Sequence, residues 1–254
     1  MTEADTRTML NKVPLVTLFF WVIKIMATTV GETAADFLSV DLKLGLGNTS
    51  LLVGALLVIT LIMQFSVRKY VPPIYWLAVV LISIFGTLVT DNLVDVYGVA
   101  LETTTIIFSI ALAITFVAWY ASEKTLSIHT IFTTKRESFY WAAILFTFAL
   151  GTAAGDLVAD GMQLGYAVSA SVFSAMIALV AFAHLVFKLN AVVAFWIAYV
   201  LTRPFGASCG DLLSQPTSNG GLGLGTVGTS AIFLAVIFGL VSYWTVRQRP
   251  PQTA

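Results

Sequence analysis

Seven carboxylates interrupt otherwise apolar sequence, and four of them recur at one register. A Trp is followed ten residues later by Gly and fifteen residues later by Asp four times: Trp21, Gly31, Asp36; Trp76, Gly86, Asp91; Trp141, Gly151, Asp156; Trp196, Gly206, Asp211. A carboxylate in hydrocarbon is costly, so an intramembrane acid ordinarily faces a protein interior or a water-filled cavity and marks an ion path or a proton relay. Three units carry a second acid four residues away: Glu32 with Asp36, Asp91 with Asp95, and Asp156 with Asp160. In the fourth, Asp211 is followed by Gln215. Residues at i and i+4 share a helix face, where like charges repel. A bound cation, a held proton or a basic partner must offset that repulsion.

Only two bases, Lys24 and Arg203, lie within the apolar segments. Seven acids against two bases leave a formal balance of minus five, so protons or metal ions are needed if the cluster is buried. Carboxylate oxygens suit hard ions of the magnesium, calcium and manganese type, and no Cys or Met cluster is present to select copper. The expected ligands are Glu32, Asp36, Asp91, Asp156 and Asp211. Asp95 and Asp160 join the candidate site, with a solvated role at the helix ends as the alternative. Lys24, eight residues before Glu32, is expected to pair with an acid of a neighbouring helix, and Thr28 lies between the two. Arg203 sits in Thr202, Arg203, Pro204, Phe205, Gly206, where Pro removes a backbone donor and kinks a helix. Broken segments of this kind commonly line transporter sites. Gly31, Gly86, Gly151 and Gly206 read as points of close helix approach, with a local helix break as the alternative.

The elements that hold these residues must be transmembrane helices. Hydrophobic residues make up 58% of the 254 residues, charged residues 10%, and the mean hydropathy is +0.93, whereas a soluble domain carries roughly 25% charge. Eight apolar segments, at about 13–36, 49–67, 71–94, 103–121, 138–158, 166–187, 190–212 and 226–246, approach or exceed the roughly 20 residues that cross a bilayer. The expected fold is therefore an all-α integral membrane protein of eight transmembrane helices, in one domain. Its four parallel helical-hairpin repeats cover about 13–68, 69–122, 138–188 and 189–247, with a polar linker at 122–137. Trp to Trp spacings of 55, 65 and 55 place the extra length in that linker, and the two halves are offset by 120 residues. A duplicated hairpin was itself duplicated.

Short cytoplasmic loops are enriched in Lys and Arg. With both termini inside, that side collects Arg7, Lys12, Arg68, Lys69, Lys124, Lys135, Arg136, Lys188, Arg247 and Arg249, and the outer loops hold only Lys43. Both termini are thus expected in the cytoplasm, in a multi-pass protein of the cell inner membrane. The polar start (Thr2, Glu3, Asp5, Arg7) leads into an apolar segment too long for a signal peptide and is expected to be retained. By helix rise, the repeated Asp lies roughly 27 to 33 Å from the cytoplasmic start of its helix, in the outer part of the membrane.

Other residues carry less. Cys209 reads as a small apolar helix residue, His184 as a packed or hydrogen-bonded core histidine, and His129 as a loop residue. Ser169, Ser171, Ser174 and Thr103, Thr104, Thr105 could line a polar path or bond back to helix carbonyls. The stretch Ser218 to Gly225 reads as a flexible outer loop. No metalloprotease His motif, nucleophile elbow or phosphate loop occurs, so no enzymatic activity is expected. Scattered basic residues exclude a nucleic-acid footprint.

The residues from Lys24 to Asp36 (Lys, Thr, Thr, Gly, Glu, Asp) and from Thr202 to Asp211 (Thr, Arg, Pro, Gly, Gly, Asp) resemble those of a bacterial multi-pass membrane protein family. Its members are built of four two-helix repeats, each with a characteristic Trp, known mainly as repeats of unknown function. The resemblance covers nearly the whole chain and implies the fold. The acidic motifs are also loosely similar to the Glu, Gly, Asp signatures of small manganese and calcium transporters, without the lysine that closes them. The expected function is transport of a cation, manganese foremost, in exchange for protons. A four-repeat cation channel and a non-transporting scaffold or sensor subunit are the alternatives. The expected partners are the lipid bilayer and a small inorganic cation, with self-association left open and no cofactor beyond a transported divalent cation.

Overall fold

The computed structural model describes residues 11–247; the polar start through Arg7 and the C-terminal Arg249 lie outside the described residues. Eight helices are long and apolar enough to cross a membrane: α1 (Leu18–Asp36), α2 (Leu46–Ser66), α3 (Pro72–Asp91), α4 (Leu101–Glu123), α5 (Thr134–Asp156), α6 (Tyr166–Val186), α7 (Ala191–Ser214) and α8 (Gly225–Arg247). No strand occurs among the described residues. Their starts follow local chemistry. Pro72 and Pro73 open α3, where a missing backbone donor costs nothing. Thr133 and Asn190 accept from the first free amides of α5 and α7, as N-cap side chains do.

The odd helices form a closed ring. α1 packs on α3, α3 on α5, α5 on α7, and α7 returns to α1. The repeated glycines make that closure possible. A Cβ on Gly31 would lie 2.7 Å from Ser83 Cβ, on Gly86 2.7 Å from Phe148 Cβ, on Gly151 2.5 Å from Arg203 Cβ, and on Gly206 2.6 Å from Thr28 Cβ. Each Gly thus meets the residue three places before the Gly of an adjacent repeat in the ring. The odd helices continue through all four glycines, so close approach, not a helix break, is what these positions supply. α7 likewise continues through Pro204, contrary to the broken segment expected there. Gly86→Ala is expected to cost about 1–3 kcal/mol by overpacking, read as a lower thermal midpoint in detergent. Gly239→Ala, with nothing within 4 Å of the added Cβ, is expected to be neutral or slightly stabilising.

The Trp residues close the same ring at the other end. Phe20 packs on Trp76 (centroids 5.8 Å), Tyr75 on Trp141 (5.6 Å), Tyr140 on Trp196 (6.3 Å) and Phe195 on Trp21 (5.6 Å). The aromatic residue preceding each Trp therefore reaches the Trp of the next repeat. Phe20, Tyr75, Tyr140 and Tyr199 are fully buried. At the rim of this layer Trp76 Nε1 donates to the Tyr70 hydroxyl at 3.1 Å, and burial pushes that phenol above its ordinary range.

Even helices sit outside. Between 50% and 61% of the most apolar stretch of each odd helix is buried, against 17–22% for the even ones. Each even helix takes as its principal partner the odd helix of the next repeat: α2 on α3, α4 on α5, α6 on α7, and α8 on α1. The hairpin is the unit of sequence, but not of packing. Peripheral placement also corrects the polar path. Ser171, Ser174 and Thr103 are exposed outward, while Ser169 is buried against Ser208 at 2.7 Å. His184 is exposed at the end of α6, where Nδ1 meets the Leu189 carbonyl at 2.7 Å, rather than in the core.

Helix ends near the acids differ between repeats. In three of them the α-helix ends on the repeated Asp and a five-residue π-helical turn follows: Phe37–Asp41, Asn92–Val96 and Leu157–Gly161. The loops within the first and third repeats coincide at an offset of 120 residues, down to the bonds Gly45 N to Ser39 O (3.0 Å) and Gly165 N to Ala159 O (2.9 Å). α7 has no such turn. Its last carbonyls are instead satisfied by the returning glycine-rich stretch: Leu222 N donates to Leu212 O (2.7 Å), Leu224 N to Leu213 O (2.9 Å) and Gly223 N to Gln215 O (2.9 Å). Free carbonyls at a helix end require partners of this kind. A Cβ on Gly221 would lie 2.0 Å from the Gln215 carbonyl oxygen. The stretch expected as a flexible loop is a cap.

The linker is packed as well. Ile128 and Ile131 are buried, and Trp196 Nε1 donates to the Leu126 carbonyl at 2.9 Å. Lys12 Nζ bonds Glu137 at 2.6 Å and the Phe65 carbonyl at 3.1 Å. His129 lies exposed in a short 3-10 turn, as expected of a loop residue.

Candidate functional site

Residues four apart on the odd helices stack in layers roughly 6 Å apart. At the level of Lys24, seven residues before the repeated Gly, the other repeats contribute Val79, Ile144 and Tyr199. At the next level stand Thr28, Ser83, Phe148 and Arg203. Directly after the Gly come Glu32, Thr87, Thr152 and Ala207, and four residues further the Asp. The interior therefore runs from the aromatic layer through two bases and a belt of hydroxyls to the carboxylates.

Arg203 is the hub. Its side chain is fully buried, with its stem laid against Gly151. Nη2 donates to Glu32 Oε2 at 3.1 Å, to Thr152 Oγ1 at 2.7 Å, and to Thr87 Oγ1. Thr87 also donates to Glu32 Oε2 at 3.3 Å. One guanidinium nitrogen thus meets oxygens from α1, α3 and α5, all at the position after the repeated Gly. The fourth repeat has Ala207 there, whose methyl adds no polar group to compete. Arg203 Nη1 reaches the Thr28 carbonyl at 3.4 Å, and Nε has no partner. The Thr28 hydroxyl bonds the Ile25 carbonyl at 2.6 Å and the Thr202 carbonyl at 3.3 Å, tying α1 to α7 below the guanidinium.

Above Arg203 three carboxylates converge. Oxygens of Glu32, Asp156 and Asp211 all lie within 4.8 Å of one another, a span that one cation could bridge. Glu32 and Asp211 are buried and Asp156 is half-buried. The four repeated Asp do not form an equivalent ring. Asp36 accepts from Gln215 Nε2 at 3.3 Å and, like Asp91, is half-buried outside the three-carboxylate group. Asp95 and Asp160 are exposed on their π-helical turns, outside the group and in the solvated role. Lys24 also departs from expectation. Its amine donates to the Tyr199 carbonyl at 3.0 Å and to Thr202 Oγ1 at 2.6 Å, over the faces of Tyr199 and Phe148 (4.2 and 5.1 Å), and among the described residues it pairs with no acid. Carbonyl and ring faces replace the expected carboxylate because the acids lie two turns further along.

Thr87 and Thr152 escaped notice in the sequence. Their signal was the place after each repeated Gly, visible only once Glu32 is read as the first repeat's residue at that place. Gln215, which stands where the other repeats carry their second acid or its neighbour, is a donor to Asp36.

Residues 19–70, 74–125, 139–190 and 194–250 each match the model of one family, described as a Repeat of Unknown Function (DUF347). Among curated proteins and among solved structures nothing matches.

Proposed function

The chain belongs to that family, four copies of a repeat with no activity attached, and we propose that in this multi-pass membrane protein they build a carrier for a hard divalent cation, manganese foremost. The observation that supports this reading is the convergence of Glu32, Asp156 and Asp211 carboxylate oxygens within 4.8 Å. Three such carboxylates fit a hard divalent ion, which takes oxygen ligands. Their mutual repulsion when the ion leaves favours uptake of protons in its place, so metal and proton flow in opposite directions. With the basic Trp end in the cytoplasm, the cage opens toward the outside.

The four-Asp channel is less well supported. Arg203, Lys24 and the aromatic layer stand between the cage and the Trp end, and the three converging carboxylates are unequal in origin and burial. A path closed on one side of a site is what a carrier requires. A scaffold would use the acids as helix-to-helix fasteners, as Glu32 does with Arg203, but the closest ring contacts lie at the glycines.

Uptake of manganese into vesicles reconstituted with the purified full chain tests the reading. Saturable uptake, stimulated by an opposing proton gradient, is expected. Folded protein that moves no manganese, magnesium or calcium under any gradient sinks it.

A further inference from the structure

Arg203 presents one nitrogen to Glu32 Oε2, Thr87 Oγ1 and Thr152 Oγ1, oxygens from three separate helices. A small cation stripped of water would take such oxygens. The guanidinium is fully buried and one of its donors, Nε, is unpartnered. Among the described residues its only ion pair is with Glu32, a member of the three-carboxylate cage. When ionised, Glu32, Asp156 and Asp211 carry three negative charges, and Arg203 leaves two.

We infer that Arg203 is a tethered counter-cation that sets the charge of the cage, matching it to a divalent ion. The inference rests on the carrier reading. Coulomb energy scales with the charge of the bound ion. Removing Arg203 therefore strengthens binding of every cation, but more for a trivalent ion than for a divalent one. A positioning role through packing alone would change both by the same factor. Gly151 supports the assignment, since any side chain there would displace the Arg203 stem.

The test is manganese binding to the detergent-solubilised full chain, read by loss of the free-ion resonance, with lanthanum measured by competition. Arg203→Gln is expected to bind manganese about tenfold tighter and lanthanum about thirtyfold tighter than the unmodified chain, so that the logarithms of the two gains stand in the ratio of the ion charges. Unchanged or weaker binding of both ions by folded Arg203→Gln overturns the inference, as does an equal gain for both. Should the unpaired Glu32 unfold that variant, a second pair covers the case. Arg203→Gln with Glu32→Gln is expected to bind manganese about tenfold tighter than Glu32→Gln alone, and equal affinities overturn the inference. If the unmodified chain binds neither ion, the carrier reading itself has failed, an outcome distinct from the others.

Discussion

Asp156→Asn and Asp211→Asn are expected to lower manganese uptake by roughly a hundredfold or more, because each removes a carboxylate from the cage, where loss of even an outer supporting group costs 10- to 100-fold in metal affinity. Asn has the shape of Asp, so the packing around α5 and α7 is kept and the thermal midpoint should change little. The informative comparison is with the exposed acids. Asp95→Asn and Asp160→Asn lie on π-helical turns outside the cage and should leave uptake within about twofold, as surface changes away from such features do. Reconstituted vesicles loaded with a manganese-sensitive dye measure all four. Full uptake by folded Asp211→Asn, or equal losses at cage and turn, would remove the cage from the mechanism.

Glu137→Ala should destabilise the Trp end by about 3–5 kcal/mol. The Glu137 side chain is 1% exposed and accepts from Lys12 Nζ at 2.6 Å and Gln64 Nε2 at 3.1 Å. It joins the segment before α1, the end of α2 and the start of α5. Truncation leaves the Lys12 ammonium to the Phe65 carbonyl and the face of its ring, with no counter-charge. Losing one partner of a buried ion pair costs about 3–5 kcal/mol, largely because the other charge is left uncompensated, whereas replacing both with apolar residues is often neutral. Lys12→Met with Glu137→Leu should therefore recover most of the loss. Equilibrium unfolding in mixed detergent micelles reads both. A loss below about 1 kcal/mol for Glu137→Ala would show that water reaches the pair and screens it.

Of the two buried ion pairs among the described residues, the Glu32 to Arg203 pair alone touches the cage. The Lys12 to Glu137 pair secures the Trp end, where the packed linker and the aromatic layer also lie. Changes at Glu137 should move stability and leave ion affinity, whereas changes at Arg203 should move ion affinity as well as stability. That separation makes the two residues useful controls for one another.

Much of the molecule was legible from residue order. Helix number, the four repeats and the 120-residue offset follow from hydropathy and spacing, which are local properties of the chain. The choice of close approach over helix break at Gly31, Gly86, Gly151 and Gly206 was also available from the character of small residues in bundles. Pairing was not. Lys24 has as its partners the Tyr199 carbonyl and the Thr202 hydroxyl, and no spacing between residues 24 and 202 reveals that α1 lies beside α7. The same holds for the even helices, each of which takes an odd helix of another repeat as its principal partner.

The recurring Trp, Gly and Asp, by themselves, determined that four equivalent apolar hairpins each bring a carboxylate to one depth, because helical rise converts position in the chain into height. Only the tertiary structure decided that three acids, and not four, converge. Closing the ring places the residue after each repeated Gly in one layer, and the repeats differ there: Glu32, Thr87, Thr152 and Ala207. One long base, Arg203, fills the space that Ala207 leaves and Gly151 admits. Equivalent backbones with unequal side chains make an asymmetric site, and that asymmetry exists only once the helices meet.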